Sequence, residues 1–366
     1  MKLLKPKNLS YEGCPTGLID HCAYVVHQIL FFKRIYKNEY VYLPSSSLVK
    51  MLGTRQYGPA MSYLKKNKII KNDGSYKKGK KCYHYELCEP YASAKMAPHE
   101  LDPRGKISKK IEKLRGASTL SRKAAYSCKV KRGPDTRSRY QHVLGSLDVL
   151  ELNCEDYHTL AKCFDHTLSP TGRLYYPFAL QPSSIRSQAL LGGEKTQEVD
   201  IACCQPYLLA TLYPANSTEK EKYILLIQKG DFYIDIFGED ESRDEVKKKA
   251  YRSILFGAAK YMNGSYGKKL KEKLPELWQI IFDLKEANPN GKGEEKTGNS
   301  YFACLLQKKE SQIIFSVVEK LRQLNIPCLT IHDSIRVGSS SIGLTTQYLW
   351  NECFETTGIE PQLKVS

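Results

Sequence analysis

The chain lacks most of the features that would assign its class at a glance. It has 12 cysteines among 366 residues but no Cys-x-x-Cys pair. Cys203 and Cys204 are adjacent, a spacing that suits neither an ordinary disulfide nor a zinc knuckle. The thiols are therefore expected to be reduced core groups, as in a cytoplasmic protein. No run approaches the roughly 20 apolar residues of a membrane span, so a membrane is not an expected partner. The opening MKLLKPKNLSYEG holds no apolar core of signal-peptide length. Internal repeats and long low-complexity tracts are missing, and the polar stretch 286–299 comes nearest. Acidic residues are in short supply: 39 Asp and Glu face 56 Lys and Arg, a net charge of +17. That balance favours a polyanionic partner, nucleic acid before an anionic membrane surface. The 25 tyrosines add side chains suited to base stacking. The length allows two or three domains.

The first hundred residues pattern as helices followed by short strands. Residues 17–37 space their apolar side chains for one buried helix. Ser45–Leu52 is expected to be a short helix capped by its serines, followed by a turn at Gly53-Thr54 and a second helix over Gln56–Lys66. Ile69-Ile70 and Cys82–Leu87 then form two strands around a basic loop, NDGSYKKGKK. Helix, turn, helix and a lysine-tipped hairpin make a winged-helix pattern. A small α+β domain with an exposed basic loop would read the same way. In a winged helix Arg55, Gln56 and Tyr57 would open the recognition helix, and Lys77, Lys78, Lys80 and Lys81 would touch phosphates. Glu89–Pro103 reads as a linker. Residues 105–135 carry an almost wholly positive charge run, which suits contact with a duplex backbone. His142–Cys163 reads as helical or mixed.

Two acidic residues stand out downstream. Leu324–Val337 alternates apolar β-formers around His332-Asp333-Ser334, as a strand, tight turn and strand would. Asp and Ser are ordinary turn residues, but Asp200 also ends an apolar strand, EVDI, ahead of a helix-like run. Two such carboxylates brought together could hold two Mg²⁺ ions about 4 Å apart, an arrangement that serves phosphoryl and nucleotidyl transfer. Residues 243–262 read as one basic amphipathic helix with Lys248, Arg252 and Phe256 along one side. Cations for phosphates and a ring for a base suit a nucleoside triphosphate; a solvated basic face over a buried Phe is the plainer reading.

In order along the chain these segments resemble the palm and fingers of family-A DNA polymerases, kin of the phage-type single-subunit RNA polymerases. Thr171-Gly172-Arg173-Leu174 matches a TGRL segment. Ile185-Arg186 and the strand ending at Asp200 resemble the approach to motif A, with DIACCQ in place of DYSQIE. Lys248 precedes Phe256-Gly257 by the spacing of motif B. Gln307 resembles the Gln of the helix before motif C, and His332-Asp333-Ser334 resembles motif C itself. The resemblance covers a little over half of the chain. It implies an α+β fold with an N-terminal winged-helix-like domain (1–100), a basic helical linker or reduced thumb (101–165) and a right-hand palm and fingers (166–366).

The resemblance also implies roles. Asp200 and Asp333 would bind two Mg²⁺. Lys248 would serve the triphosphate as a catalytic cation. Phe256, Gln205, Arg252 and Arg243 would contact the nucleotide. Arg173, His332, Gln307 and Arg186 would hold a DNA primer–template. The chain departs from the pattern at three positions. Asp244 stands where motif B has Arg, so Arg243 or Lys247 substitutes or the register shifts by one. Phe256 replaces a Tyr. Gln205 stands where DNA polymerases carry a sugar-excluding Glu and RNA polymerases a Gly. The activity implied is that of a minimal DNA polymerase without proofreading, serving replication or priming of a phage, plasmid or other mobile element. A single-subunit RNA polymerase or primase, and a DNA-binding protein that has lost catalysis, are the alternatives.

Overall fold

The computed structural model describes residues 2–36, 41–74, 83–111, 136–163, 166–169, 171–229, 231–238, 242–286 and 298–366. These gather into two compact units. Unit 1 takes Met1–Ser118, Leu150–Thr167 and Tyr175–Gly193; unit 2 takes Thr119–Val149, Leu168–Leu174 and Glu194–Ser366. No helix among the described residues is long and apolar enough to cross a membrane. The described cysteines are all free thiols.

Unit 1 opens with strand β1 (Lys2–Pro6). Helix α1 (Ile19–Tyr36) buries Cys22, Val25, Val26, Ile29 and Leu30, the three- and four-residue spacing of a core-facing helix. Then come β2 (Val41–Tyr42), α2 (Ser45–Leu52), α3 (Thr54–Lys66), β3 (Ile70–Asn72) and β4 (His84–Leu87). The strands pair antiparallel in the order β2-β4-β3. No serine caps α2. Its N-cap is Pro44, whose carbonyl accepts from Ser47 N and Leu48 N. Gly53, at φ +85°, joins α2 directly to α3, a backbone conformation that glycine adopts without strain. Arg55 is exposed on the first turn of α3. Lys77, Lys78, Lys80 and Lys81 lie outside the described residues, as does most of the basic run 105–135.

The expected linker at 89–103 is instead partly a strand. β5 (Met96–Glu100) pairs antiparallel with β1, Lys2 opposite Glu100 and Pro6 opposite Met96. Its Pro98 lacks an amide donor, which a two-stranded edge ladder tolerates.

Unit 2 is built on an antiparallel sheet. Helix α4 (Thr136–Gly145) precedes the long strand β6 (Glu194–Ile201). β7 (Cys328–Ile331) and β8 (Ser334–Gly338) form a hairpin, and β8 pairs with β6. The short C-terminal strand β9 (Leu363–Val365) lies along the last three residues of β6. Every residue of β7 and β8 is buried. Between β6 and β7 run α5 (Cys204–Leu209), α6 (Thr218–Lys229), α7 (Phe232–Phe237), α8 (Arg243–Ala250), α9 (Ser265–Lys273), α10 (Pro275–Glu286) and α11 (Gly298–Gln323). α12 (Ile342–Thr357) follows β8 and packs on α11.

The single helix expected over 243–262 is interrupted. α8 runs into a π-turn at Tyr251–Leu255, where Phe256 N donates to Tyr251 O at 2.8 Å. A π-turn inserts one residue and shifts every later side chain around the axis. Gly257 follows, and a Cβ there would sit 2.0 Å from Arg252 O, so the turn needs glycine. Its carbonyl accepts from Lys285 of α10 at 2.5 Å.

Lys285 is only 1% exposed, and burial pushes its amine down to about 8. Between that value and the ordinary lysine range the unfolded chain binds the extra proton, so this group adds stability as pH rises from roughly 8 to 10. Buried thiols act in the opposite direction, but they cancel in a comparison with Lys285→Met. Denaturant titrations should show wild type gaining up to about 3 kcal/mol on that variant between pH 7 and 10. A pH-independent difference would remove Lys285 as a titrating core group.

Candidate active site

The two acidic residues found in the sequence meet at one end of the unit 2 sheet. Asp200 stands directly opposite Ser334 in the β6–β8 ladder, and Ile201 N donates to Asp333 O at 3.3 Å. Ile331 pairs with Ser334, so His332 and Asp333 are the two residues of a tight hairpin turn. His332 adopts φ +55°, in the left-handed region. Both carboxyls are held above the ordinary carboxylate range. For Asp333 the causes are burial, then Glu310, then Asp200. For Asp200 they are burial and Glu198, partly offset by Lys247 and Lys364.

Glu310 was not among the expected residues. It lies on α11 with 0% exposure. Arg173 donates to it from Nε at 2.6 Å and from Nη2 at 2.5 Å. Gln205 Nε2 donates to the same carboxylate at 2.6 Å. The ligand atoms of Cys204, Glu310 and Asp333 lie within 4.8 Å of one another. The Arg173 turn is tight: Gly172 has φ +89°, and a Cβ there would meet that of Ser311 at 3.2 Å. Thr171 Oγ1 donates to Gln307 Oε1 at 3.2 Å, so Gln307 braces the turn that carries Arg173.

Beside this cluster α8 presents Arg243, Lys247 and, at the start of the π-turn, Tyr251. Lys247 Nζ lies 6.0 Å from the Tyr233 ring and 5.8 Å from the Tyr251 ring. Arg243 pairs with Asp231, the N-cap of α7, and reaches Cys203 Sγ at 3.6 Å. Tyr251 and Phe256 lie with ring centroids 5.3 Å apart. Lys248, expected at the triphosphate, and Lys247 are both exposed, and Lys247 is the one whose charge acts on Asp200. Arg243, Lys247 and Tyr251 share one helical face at four-residue spacing, and one inserted residue then carries Phe256-Gly257 to nine positions after Lys247. Arg252, one residue past Tyr251, lies off that face. It lines a cavity of about 490 Å³ with Lys249, Tyr266 and Lys269.

Glu198 accepts from Ser334 Oγ at 2.7 Å and from Arg336 Nη2 at 2.8 Å. Arg186 belongs to unit 1, where it donates to Gln181 O at 2.7 Å. Arg55 also belongs to unit 1.

The carboxylate oxygens of Asp200 and Asp333 are hard donors of the kind Mg²⁺ takes, while the ligand atoms within 4.8 Å of one another are those of Cys204, Glu310 and Asp333. Two crowded carboxylates with raised affinity for protons lose that repulsion when a cation lies between them, and their oxygens suit Mg²⁺. Cys204 is a soft, fully buried thiol whose proton is held tightly by burial, and it does not suit that ion.

No family model matches the chain, and no curated protein matches it. Among solved structures it is similar to the POL domain of Pol1 from M. smegmatis, in a complex with DNA primer-template and dNTP. That match has a TM-score of 0.44 and 12% identity, and covers 63% of this chain and 50% of the other. The similarity thus spans half the length of that structure.

Proposed function

We propose that the chain is a template-directed nucleotidyltransferase, a minimal DNA polymerase. The observation that carries this reading is the crowding of Asp200, near the end of β6, against Asp333 in the adjoining β7–β8 turn, with the Lys247 charge acting on Asp200. Bound there, two Mg²⁺ ions would lower the pKa of a primer 3′-hydroxyl and stabilise the leaving pyrophosphate. The protein side chains do the rest. Asp200 and Asp333 hold the ions. Lys247, in place of Lys248, and Arg243 supply positive charge to the triphosphate. Tyr251 and Phe256 offer a ring to the incoming base. Arg173, Gln307 and His332 hold the primer–template end. Palm and fingers fall within 166–366, and a reduced thumb within 101–165.

In the same reading α2, α3, β3 and β4 make a winged helix over 1–100, with Arg55 at the start of its recognition helix. Replacing Lys77, Lys78, Lys80 and Lys81 with Ala should flatten the salt dependence of duplex binding by up to about four units of log–log slope. An unchanged slope would leave that loop a solvated surface.

The deciding experiment is extension of a labelled primer–template with dNTPs or rNTPs in the presence of Mg²⁺. Template-encoded extension with dNTPs preferred is the expected result. Preference for rNTPs would move the assignment to an RNA polymerase or primase. Duplex binding with no incorporation of either nucleotide would make the chain a non-catalytic DNA-binding protein.

A further inference from the structure

We infer that Glu310 is a specificity-determining positioning residue: it fixes the side chain of Gln205 and thereby sets which sugar the site accepts. The inference rests on the nucleotidyltransferase reading and goes beyond it, because it gives a role to Glu310, three residues past Gln307 on α11, which no motif singles out. Gln205 is the second residue of α5, five residues after Asp200, and is 3% exposed. Its amide nitrogen is committed to Glu310 at 2.6 Å, while its Oε1 is buried without a partner among the described residues. An unanchored Gln would turn to satisfy that oxygen, since a buried acceptor left unpaired costs about 1–3 kcal/mol. Glu310 prevents the turn. The carboxylate is itself fixed by the two-pronged Arg173 pair, a geometry that only one orientation of each group satisfies. Arg173, Glu310 and Gln205 thus form one connected unit from the TGRL turn, α11 and α5.

This arrangement gives Gln205 a stiffness that a neutral, flexible side chain lacks alone. Held in place, it crowds a ribose 2′-hydroxyl; released, it can swing aside. Glu310 does not touch the sugar in this scheme and acts only through Gln205.

The test is the ratio of kcat/KM for dNTP over rNTP in wild type, Glu310→Ala, Gln205→Gly and the double variant. Glu310→Ala should lower the ratio about tenfold, and adding it to Gln205→Gly should change nothing further. Glu310→Gln keeps the volume and one acceptor oxygen, so it should fall between wild type and the Ala variant. It also serves if the Ala variant does not fold. Equal losses for both sugars would show that Glu310 only supports Arg173, and additive effects in the double variant would break the link to Gln205; either overturns the inference. Failure of wild type to extend any primer is a separate result, which strikes the polymerase reading. The same four ratios can then be read from equilibrium binding of dNTP and rNTP.

Discussion

Asp333→Asn is expected to lower nucleotide incorporation by at least about a thousandfold while the protein becomes no less stable. Metal-assisted charge stabilisation is worth several kcal/mol in a transition state, and about 4 kcal/mol corresponds to that factor. Asn preserves the shape of the hairpin turn but is a far weaker ligand for Mg²⁺. The stability half of the expectation follows from the surroundings. Asp333 is crowded by Glu310 and Asp200, and burial alone opposes its charge. An amide removes that repulsion, so the thermal midpoint should hold or rise, the usual trade of an active-site carboxylate. Activity lost together with stability would point to a damaged hairpin. Extension at the wild-type rate would take Asp333 out of the chemistry. The comparison needs only primer extension and a thermal melt on the same preparations, with duplex binding as a control for the nucleic-acid surface.

The elements that the sequence revealed are those whose signal is local. Cys328–Val337 alternates apolar residues around a two-residue turn, and the structure places that hairpin at one edge of the sheet with every residue of both strands buried. The α2 boundaries follow from Pro44 and Gly53 on either side of an amphipathic run. The β1–β5 ladder was hidden because Lys2–Pro6 and Met96–Glu100 carry Lys, Pro and Glu. Their partnership spans more than ninety residues, and nothing nearby announces it.

The candidate site divides along the same line. Asp200, Asp333, Arg173 and Gln205 were legible because each lies at a strand end, in a hairpin turn, after a glycine turn or in the first turn of a helix, and Gln307 because the segment around it resembles a known motif. Glu310 was not legible: in the run Gln307–Gln312 it reads as one more polar helical residue. Its burial exists only because the Arg173 turn and α5 fold over α11. That Lys247, beside Lys248, acts on Asp200 was hidden by a smaller feature. One residue inserted by the π-turn restores the nine-residue distance from Lys247 to Phe256 to the expected geometry, and no propensity scale marks that insertion.

Arg336→Met is expected to cost about 3–5 kcal/mol of stability, the largest loss foreseen for a single side chain outside the acidic pair. Arg336 and Glu198 face each other across the β6–β8 ladder, with side chains 6% and 13% exposed. Arg336 also donates from Nη1 to Thr196 Oγ1 at 2.8 Å, so its guanidinium is engaged by two residues of β6. Removing it leaves a desolvated carboxylate beside Asp200, which Glu198 already disfavours as an anion. The penalty is therefore that of an uncompensated buried charge, not of one lost hydrogen bond. Such a penalty should be reversible from the other side. In Arg336→Met/Glu198→Leu both charges are gone and the strand faces stay apolar, so most of the loss should be regained. Urea titrations of the two variants and wild type decide the matter. A single variant as stable as wild type would mean that water or Lys364 neutralises Glu198. A double variant no better than the single one would mean that Arg336 supports the sheet through the packing of its stem. In the expected case the pair acts as an electrostatic lock on the strand register, and it is this register that sets Asp200 opposite Ser334, next to Asp333.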